Sequence, residues 1–175
     1  GSYDVNGSVR PYVLSLGPAR YVGVDQSEGP GVDLVLDCVA LPDEFGGSSF
    51  DVVISTEMLE HVEDWKASIR AMVEVVRPYG LLVITTRSPG FPYHAYPDDF
   101  WRYTVEQMED IITLAGLEVL MLEPDPDPDK YASEIFDKVK DQIDSHIRVA
   151  IGTLQDQIDE LQQQLNESYV EEDDE

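Results

Sequence analysis

Basic residues are scarce in this chain: 11 Lys and Arg stand against 36 Asp and Glu in 175 residues, a formal net charge of −25. A nucleic-acid backbone is bound by neutralising its phosphates with Lys and Arg, and a field of this sign repels it, so no nucleic-acid partner is expected. The imbalance sharpens along the chain. Residues 1–122 carry 7 basic and 19 acidic side chains, whereas residues 123–175 carry 4 and 17. Cysteine is nearly absent as well. Cys38, the single one, cannot form an intrachain disulfide, and this usage fits a reducing compartment, with a cytoplasmic location expected. No apolar run approaches the roughly 20 residues that span a bilayer, and no signal-peptide pattern opens the chain, so no membrane partner is expected. The Gly-x-Gly-x-x-Gly fingerprint is also missing, which argues against a nicotinamide-dependent oxidoreductase.

What is present begins with a hydrophobic content of 42%, enough for a packed core. Over residues 1–122 short apolar runs alternate with helical patterns, the signature of an α/β sheet with helices on its faces. Val9, Tyr12, Val13 and Leu16 recur at helical spacing and Gly17 closes the helix. Tyr21–Asp25 and Leu34–Asp37 read as buried strands that end on carboxylates, and Phe50–Ile54 reads as a third strand. A helix from about Asp64 places Trp65, Ile69, Met72, Val73 and Val76 on one face, until Pro78 and Gly80 stop it. Leu81–Thr86 is a fourth expected strand. Thr104-Val105-Glu106-Gln107 is a capping box opening a helix with Met108, Ile111, Ile112 and Ala115, closed by Gly116. Leu117–Leu122 is the last expected strand.

Between Asp25 and Asp33 only seven residues intervene, too few for the helix that usually connects parallel strands. Seven extended residues reach about 23 Å, so a bare crossover loop is feasible. Residues 123–130, with three Pro-Asp steps, form a stiff acidic linker. Residues 131–168 then change pattern. Ile147, Ile151, Leu154, Ile158, Leu161 and Leu165 alternate spacings of four and three, a heptad seam with Ile151, Ile158 and Leu165 at one core position and Ile147, Leu154 and Leu161 at the other. Such a seam packs on a second chain or back on the domain; a homodimer through residues 131–165 is expected, with residues 169–175 as an acidic, fraying end.

Asp25, at the tip of a buried strand, can accept hydrogen bonds from a ribose diol, and Asp37 repeats the geometry at the next strand tip, where it can accept from an adenine amino group. The series Tyr21-Val-Gly-Val-Asp25, Asp37-Cys-Val-Ala-Leu-Pro42, Ser49-Phe-Asp-Val-Val-Ile-Ser55, Glu57-Met-Leu-Glu-His-Val62 and Val76-Arg-Pro-Tyr-Gly-Leu-Leu-Val83 resembles the class I S-adenosylmethionine-dependent methyltransferases of the type 11 group, from residue 1 to about residue 128. The block from His94 to Thr104 resembles a sub-branch with a similar aromatic, acidic stretch.

The resemblance implies a Rossmann-like, mostly parallel sheet with flanking helices. It also implies S-adenosylmethionine as cofactor, with methyl transfer to a small-molecule or glycan-like acceptor. Asp25 would hold the ribose with Gln26 beside it, and Asp37 and the Cys38 backbone N–H would meet the adenine. Ser55 and Thr56 would approach the methionine moiety. Gly1, Ser2 and Tyr3 occupy the position of the family's glycine-rich loop, although Tyr3 and Val5 stand where glycines are usual, so the loop must take another path. For an acceptor of high pKa, His94, Asp98 and Asp99 are the candidate bases, with Tyr96, Trp101 and Arg102 shaping the acceptor site. His61 is read as packing or capping its helix, and no metal ligands are assigned. The family's first strand would precede Gly1 and its last would follow the Asp-Pro repeats; both are expected to be missing here. That absence supports a contrasting reading, a non-catalytic remnant that acts in assembly through its C-terminal helix.

Overall fold

The computed structural model describes residues 1–4, 7–94, 98–124, 152, 155 and 157–163. The chain divides into two compact units, Gly1–Pro128 and Asp129–Glu175. In the first unit the elements run α1 (Arg10–Ser15), β1 (Val24–Asp25), β2 (Leu34–Val35), α2 (Leu41–Phe45), β3 (Phe50–Thr56), α3 (Trp65–Val75), β4 (Val76–Thr85) and α4 (Val105–Leu114). Single 3₁₀ turns at Cys38–Ala40 and Leu59–His61 precede α2 and α3. This is an α/β arrangement with two small parallel ladders, β1 on β2 and β3 on β4.

The first ladder is short. Val24 pairs with Leu34 and Asp25 with Val35, and the crossover between them contains no helix. Asp33 is the clamp that makes this tight connection hold. Its carboxylate accepts two bonds from the Arg10 guanidinium, at 2.7 and 2.9 Å, and a third from the Gly23 backbone N–H at 2.7 Å. Fork-on-carboxylate pairing of this kind is both strong and directional. Tyr21 and Val22, expected within the strand, lie outside the ladder. The Gly23 amide goes to the Asp33 side chain, and Gly23 comes so close to Gly31 that a Cβ would stand 2.2 Å from the Gly31 carbonyl oxygen.

The second ladder is longer and carries a bulge. Phe50 pairs with Val76 and Val52 with Leu81, so Arg77-Pro78-Tyr79-Gly80 is looped out of register. Proline, with no N–H to offer a ladder, is tolerated there. Tyr79 takes a positive φ of 65° and is 99% exposed. Helix α3 is not stopped by Pro78; it ends at Val75 and the chain passes directly into β4.

The core is centred on α3 and α4. Leu59, Ile69, Met72, Tyr103, Met108 and Ile111 form one buried cluster, with Val53, Leu82 and Ile84 of the second ladder packed against it. Both halves of the capping box form: Thr104 Oγ1 accepts from Gln107 N, and Thr104 N donates to Gln107 Oε1. Leu117–Leu122 is not a strand. Leu117 N closes the end of α4 on the Ile112 carbonyl, Gly116 turns with φ +81°, and Leu120 and Met121 face solvent. A strand needs a ladder for its amides, and none pairs with this segment among the described residues.

Most of the heptad seam, the Asp-Pro linker beyond Pro124 and the acidic end lie outside the described residues. Residues 157–163 are helical, and on them Ile158 and Leu161 are exposed. Replacing Thr104 with Ala removes the side-chain cap of α4 and should cost about 1 kcal/mol. Urea unfolding should show a lower midpoint with an unchanged slope.

Candidate active site

The tips of β1, β2 and β3 and the N-terminal residues meet in one region. Ser2 N donates to the Val24 carbonyl at 2.9 Å and Gly1 N to the Thr56 carbonyl at 3.4 Å. Residues 1 and 2 thus connect the ends of both ladders. The Asp25 carboxylate receives Tyr3 N at 3.1 Å through Oδ2 and Ser27 N at 3.0 Å through Oδ1. Gly1 lies so close that a Cβ there would stand 1.8 Å from Asp25 Oδ2. Only glycine permits that approach. Asp37 caps the 3₁₀ turn through Oδ1, which accepts Val39 N at 3.0 Å, and its Oδ2 accepts from Gln26 Nε2 at 3.2 Å. The structure therefore brings Gly1, Ser2, Tyr3, Asp25, Gln26 and Asp37 into one hydrogen-bonded set, in which each Asp oxygen retains lone-pair capacity.

Cys38 follows Asp37 with its side chain partly buried. Its thiol lies 3.8 Å from the Ser68 carbonyl, and burial, with a smaller push from the Asp37 charge, raises its pKa to about 11. Ser55 is buried near the end of β3. Past Thr56 the chain turns sharply at Glu57, a non-glycine residue with φ +49°. Backbone held in that region is costly and persists only where its surroundings enforce it. Here Glu57 N donates to the Thr85 carbonyl and Thr85 Oγ1 donates to Glu57 Oε1, both at 2.9 Å, while Arg87 Nε pairs with Glu57 Oε2.

A second cluster lies just beyond that turn. Glu60 is fully buried. Its Oε2 accepts from Thr86 Oγ1 at 2.9 Å, whereas its buried Oε1 accepts no hydrogen bond. Desolvation first, then the neighbouring Glu57 charge, raises its pKa. The segment 98–103 is laced to the same turn: Phe100 N and Trp101 N donate to the Glu60 carbonyl, Trp101 Nε1 to the Val62 carbonyl, and Tyr103 Oη to the Leu59 carbonyl. His61 Nδ1 meets the Asp98 carbonyl at 2.5 Å, and His94 Nδ1 lies 3.2 Å from Asp99 Oδ2. Asp99 also receives His94 N and both terminal nitrogens of Arg102, and that guanidinium holds its carboxyl far below the usual carboxylate range. Of the residues expected to shape an acceptor site, Trp101 and Arg102 are thereby anchored on this cluster, and Tyr96 lies outside the described residues.

Residues 5–84 match the protein family described as "Methyltransferase domain". This segment is thus similar to a methyltransferase domain. Among curated proteins, the chain is similar to the uncharacterized protein YafE of Escherichia coli K12, 36% identical over 67 residues, covering 38% of this chain and 30% of YafE. It is also similar to a ubiquinone biosynthesis O-methyltransferase of Neisseria meningitidis serogroup A, 39% identical over 56 residues, 31% of this chain and 24% of that enzyme. The chain thus spans less than a third of the length of either relative. No solved structure matches.

Several residues around the candidate site carry no assignment from the sequence: Glu57, Glu60, Arg87 and, as part of a polar cluster, His61. A carboxylate immediately past a strand tip, Glu57, followed by Met-Leu-Glu-His, contained the signal, but only the fold shows that Glu60 points inward. The Cys38 thiol provides a direct check on the cofactor-side geometry. With its pKa near 11, against about 8.5 for free cysteine, it is protonated at pH 8. Alkylation by iodoacetamide at that pH should run on the order of 10²-fold slower than for free cysteine, and the rate should rise with pH toward 11. Urea should abolish the difference.

Proposed function

We propose that this chain takes part in S-adenosylmethionine-dependent methyl transfer to a small-molecule or glycan-like acceptor. The observation that carries the reading is Asp25 at the tip of β1, with Gly1 packed against its carboxylate and the amides of Tyr3 and Ser27 aimed at it. A backbone that approaches a strand-end carboxylate this closely is the cradle expected for a nucleoside diol and its attached chain. The residues fit the group. Asp25 and Gln26 would hold the ribose, Asp37 and the Cys38 amide the adenine, and Ser55, Thr56 and the Gly1-Ser2-Tyr3 segment the methionine end.

When bound, S-adenosylmethionine supplies a methyl group already activated on a sulfonium, so alignment accounts for much of the rate. This chain's own residues then have three tasks. The strand tips and the N-terminal segment bind the cofactor. Trp101 and Arg102, fixed on the Leu59–Val62 turn and on Asp99, border the acceptor. His94, with Nδ1 turned to the Asp99 carboxylate, keeps Nε2 as the atom that would take a proton from an acceptor hydroxyl, while the Asp98 backbone carbonyl and the Asp99 carboxylate orient the two imidazoles. Similarity to an O-methyltransferase supports a hydroxyl acceptor.

The two ladders are read as halves of one Rossmann-like, mostly parallel sheet, supported by the Gly1 and Ser2 bonds to both. The exposed Ile158 and Leu161 support self-association through residues 131–165. No described helix is long and apolar enough to cross a membrane, and the single cysteine fits a reducing cytoplasm.

Titration calorimetry with S-adenosylhomocysteine tests the reading. Asp25→Ala should weaken binding at least about tenfold, the loss of one charge-assisted contact pair, while thermal unfolding stays near that of the parent chain. Unchanged affinity would remove the ribose assignment, and no binding by the folded parent chain would remove the cofactor.

A further inference from the structure

We propose that Glu60, His61 and His94 form a binding site for one divalent transition-metal ion of intermediate softness, Zn(II) by its donor set. Glu60 Oε1, one ring nitrogen of His61 and one of His94 lie within 4.8 Å of one another. His61 Nε2 is 3.9 Å and His94 Nε2 4.0 Å from Glu60 Oε1.

The hydrogen-bond pattern fixes what these atoms are. A carbonyl oxygen only accepts, so His61 Nδ1, facing the Asp98 carbonyl, carries the proton. The Asp99 carboxylate likewise accepts from His94 Nδ1. In the neutral rings both Nε2 atoms are therefore lone pairs, and both converge on a carboxylate oxygen that is itself buried and accepts no hydrogen bond. Three acceptors facing one another with no donor between them are unfavourable unless a proton or a metal cation joins them, and two imidazoles with one carboxylate make a donor set suited to the metal. Arg87, whose Nε is also 3.9 Å from Glu60 Oε1, does not fill that role, because its guanidinium is paired with Glu57 and stacked at 4.0 Å over the Phe91 ring.

The surroundings match what a metal needs beyond its ligands. Imidazoles that bind an ion donate their other N–H to a carbonyl or carboxylate, which sets tautomer and ring orientation. Both are present here, and Arg102 in turn fixes Asp99. Bonds of about 2.0–2.2 Å to zinc put neighbouring ligand atoms about 3.4 Å apart, so the three side chains need to close by roughly 1 Å. Two imidazoles and one carboxylate select Zn(II), Co(II) or Fe(II) over Mg(II) and Ca(II), which prefer oxygen shells, and they leave a coordination position open. That position would accept an acceptor oxygen and lower its pKa, a role that rests on the methyl-transfer reading and would replace His94 as the base. Ion binding itself does not depend on that reading.

The test is titration of the full chain, stripped with chelator, with zinc chloride alone, followed calorimetrically, and with cobalt chloride, followed by visible d–d absorption. One equivalent should bind far more tightly than the surface carboxylates do. His61→Ala and His94→Ala should each weaken it by at least about tenfold and abolish the cobalt bands, Glu60→Gln should do the same while remaining folded, and His146→Ala should bind as the parent does. Absence of a tight site in the folded parent, or a site that survives both His61→Ala and His94→Ala, would overturn the proposal. A chain that binds zinc but not S-adenosylhomocysteine would overturn the functional reading and leave the metal site standing; the reverse result would do the opposite.

Discussion

The polar cluster beyond the tip of β3 depends on a carboxylate that has been taken out of water. Removing an ionised Glu from solvent costs several kcal/mol unless partners replace its hydration, and Glu60 is fully buried. Everything nearby can be understood as a response to that cost. Thr86 donates to one oxygen, Glu57 and Arg87 pair alongside, and the two imidazoles approach the other oxygen. The backbone of Glu60 is used as well, since its carbonyl receives Phe100 and Trp101. A single residue thus ties the strand tip, the 3₁₀ turn and the aromatic segment together.

The tips of β1 and β2 rest on a different device. Asp25, Asp33 and Asp37 are each spent on backbone amides or a guanidinium of the first forty residues. These contacts shape the N-terminal segment into a path without the usual run of glycines. Where the backbone must pass a carboxylate, at Gly1, and where it must pass itself, at Gly23 and Gly31, glycine is kept. Tyr3 needs none of that freedom, because its amide already points at Asp25.

Much of this was legible in the sequence, and the illegible parts have physical causes. Periodicity revealed α3 and α4, since an amphipathic helix writes its buried face every three to four residues, and the Thr104–Gln107 box marked where α4 starts. The bare crossover after Asp25 followed from chain length alone. The Leu117–Leu122 run misled because apolar residues signal burial, whereas a strand also requires a neighbour with a free edge. Pro78 misled as a helix stop because it serves a bulge within β4 instead. His61 was read as packing because its partners, Asp98 and His94, are more than thirty residues away, and a pattern search along the chain does not see such distances.

The two halves of the site differ in the length of chain that must be closed to make them. Val24 and Leu34 pair across ten residues, a loop that closes in ~10–100 ns, and Arg10 then locks it to Asp33. The other half depends on contacts such as His61 to Asp98 and Tyr103 to Leu59, separated by 37 and 44 residues. Closure entropy grows with the length of chain to be closed, so such contacts form later in folding. One half of the candidate site is therefore assembled early and locally, and the other half waits until distant stretches of the chain have met.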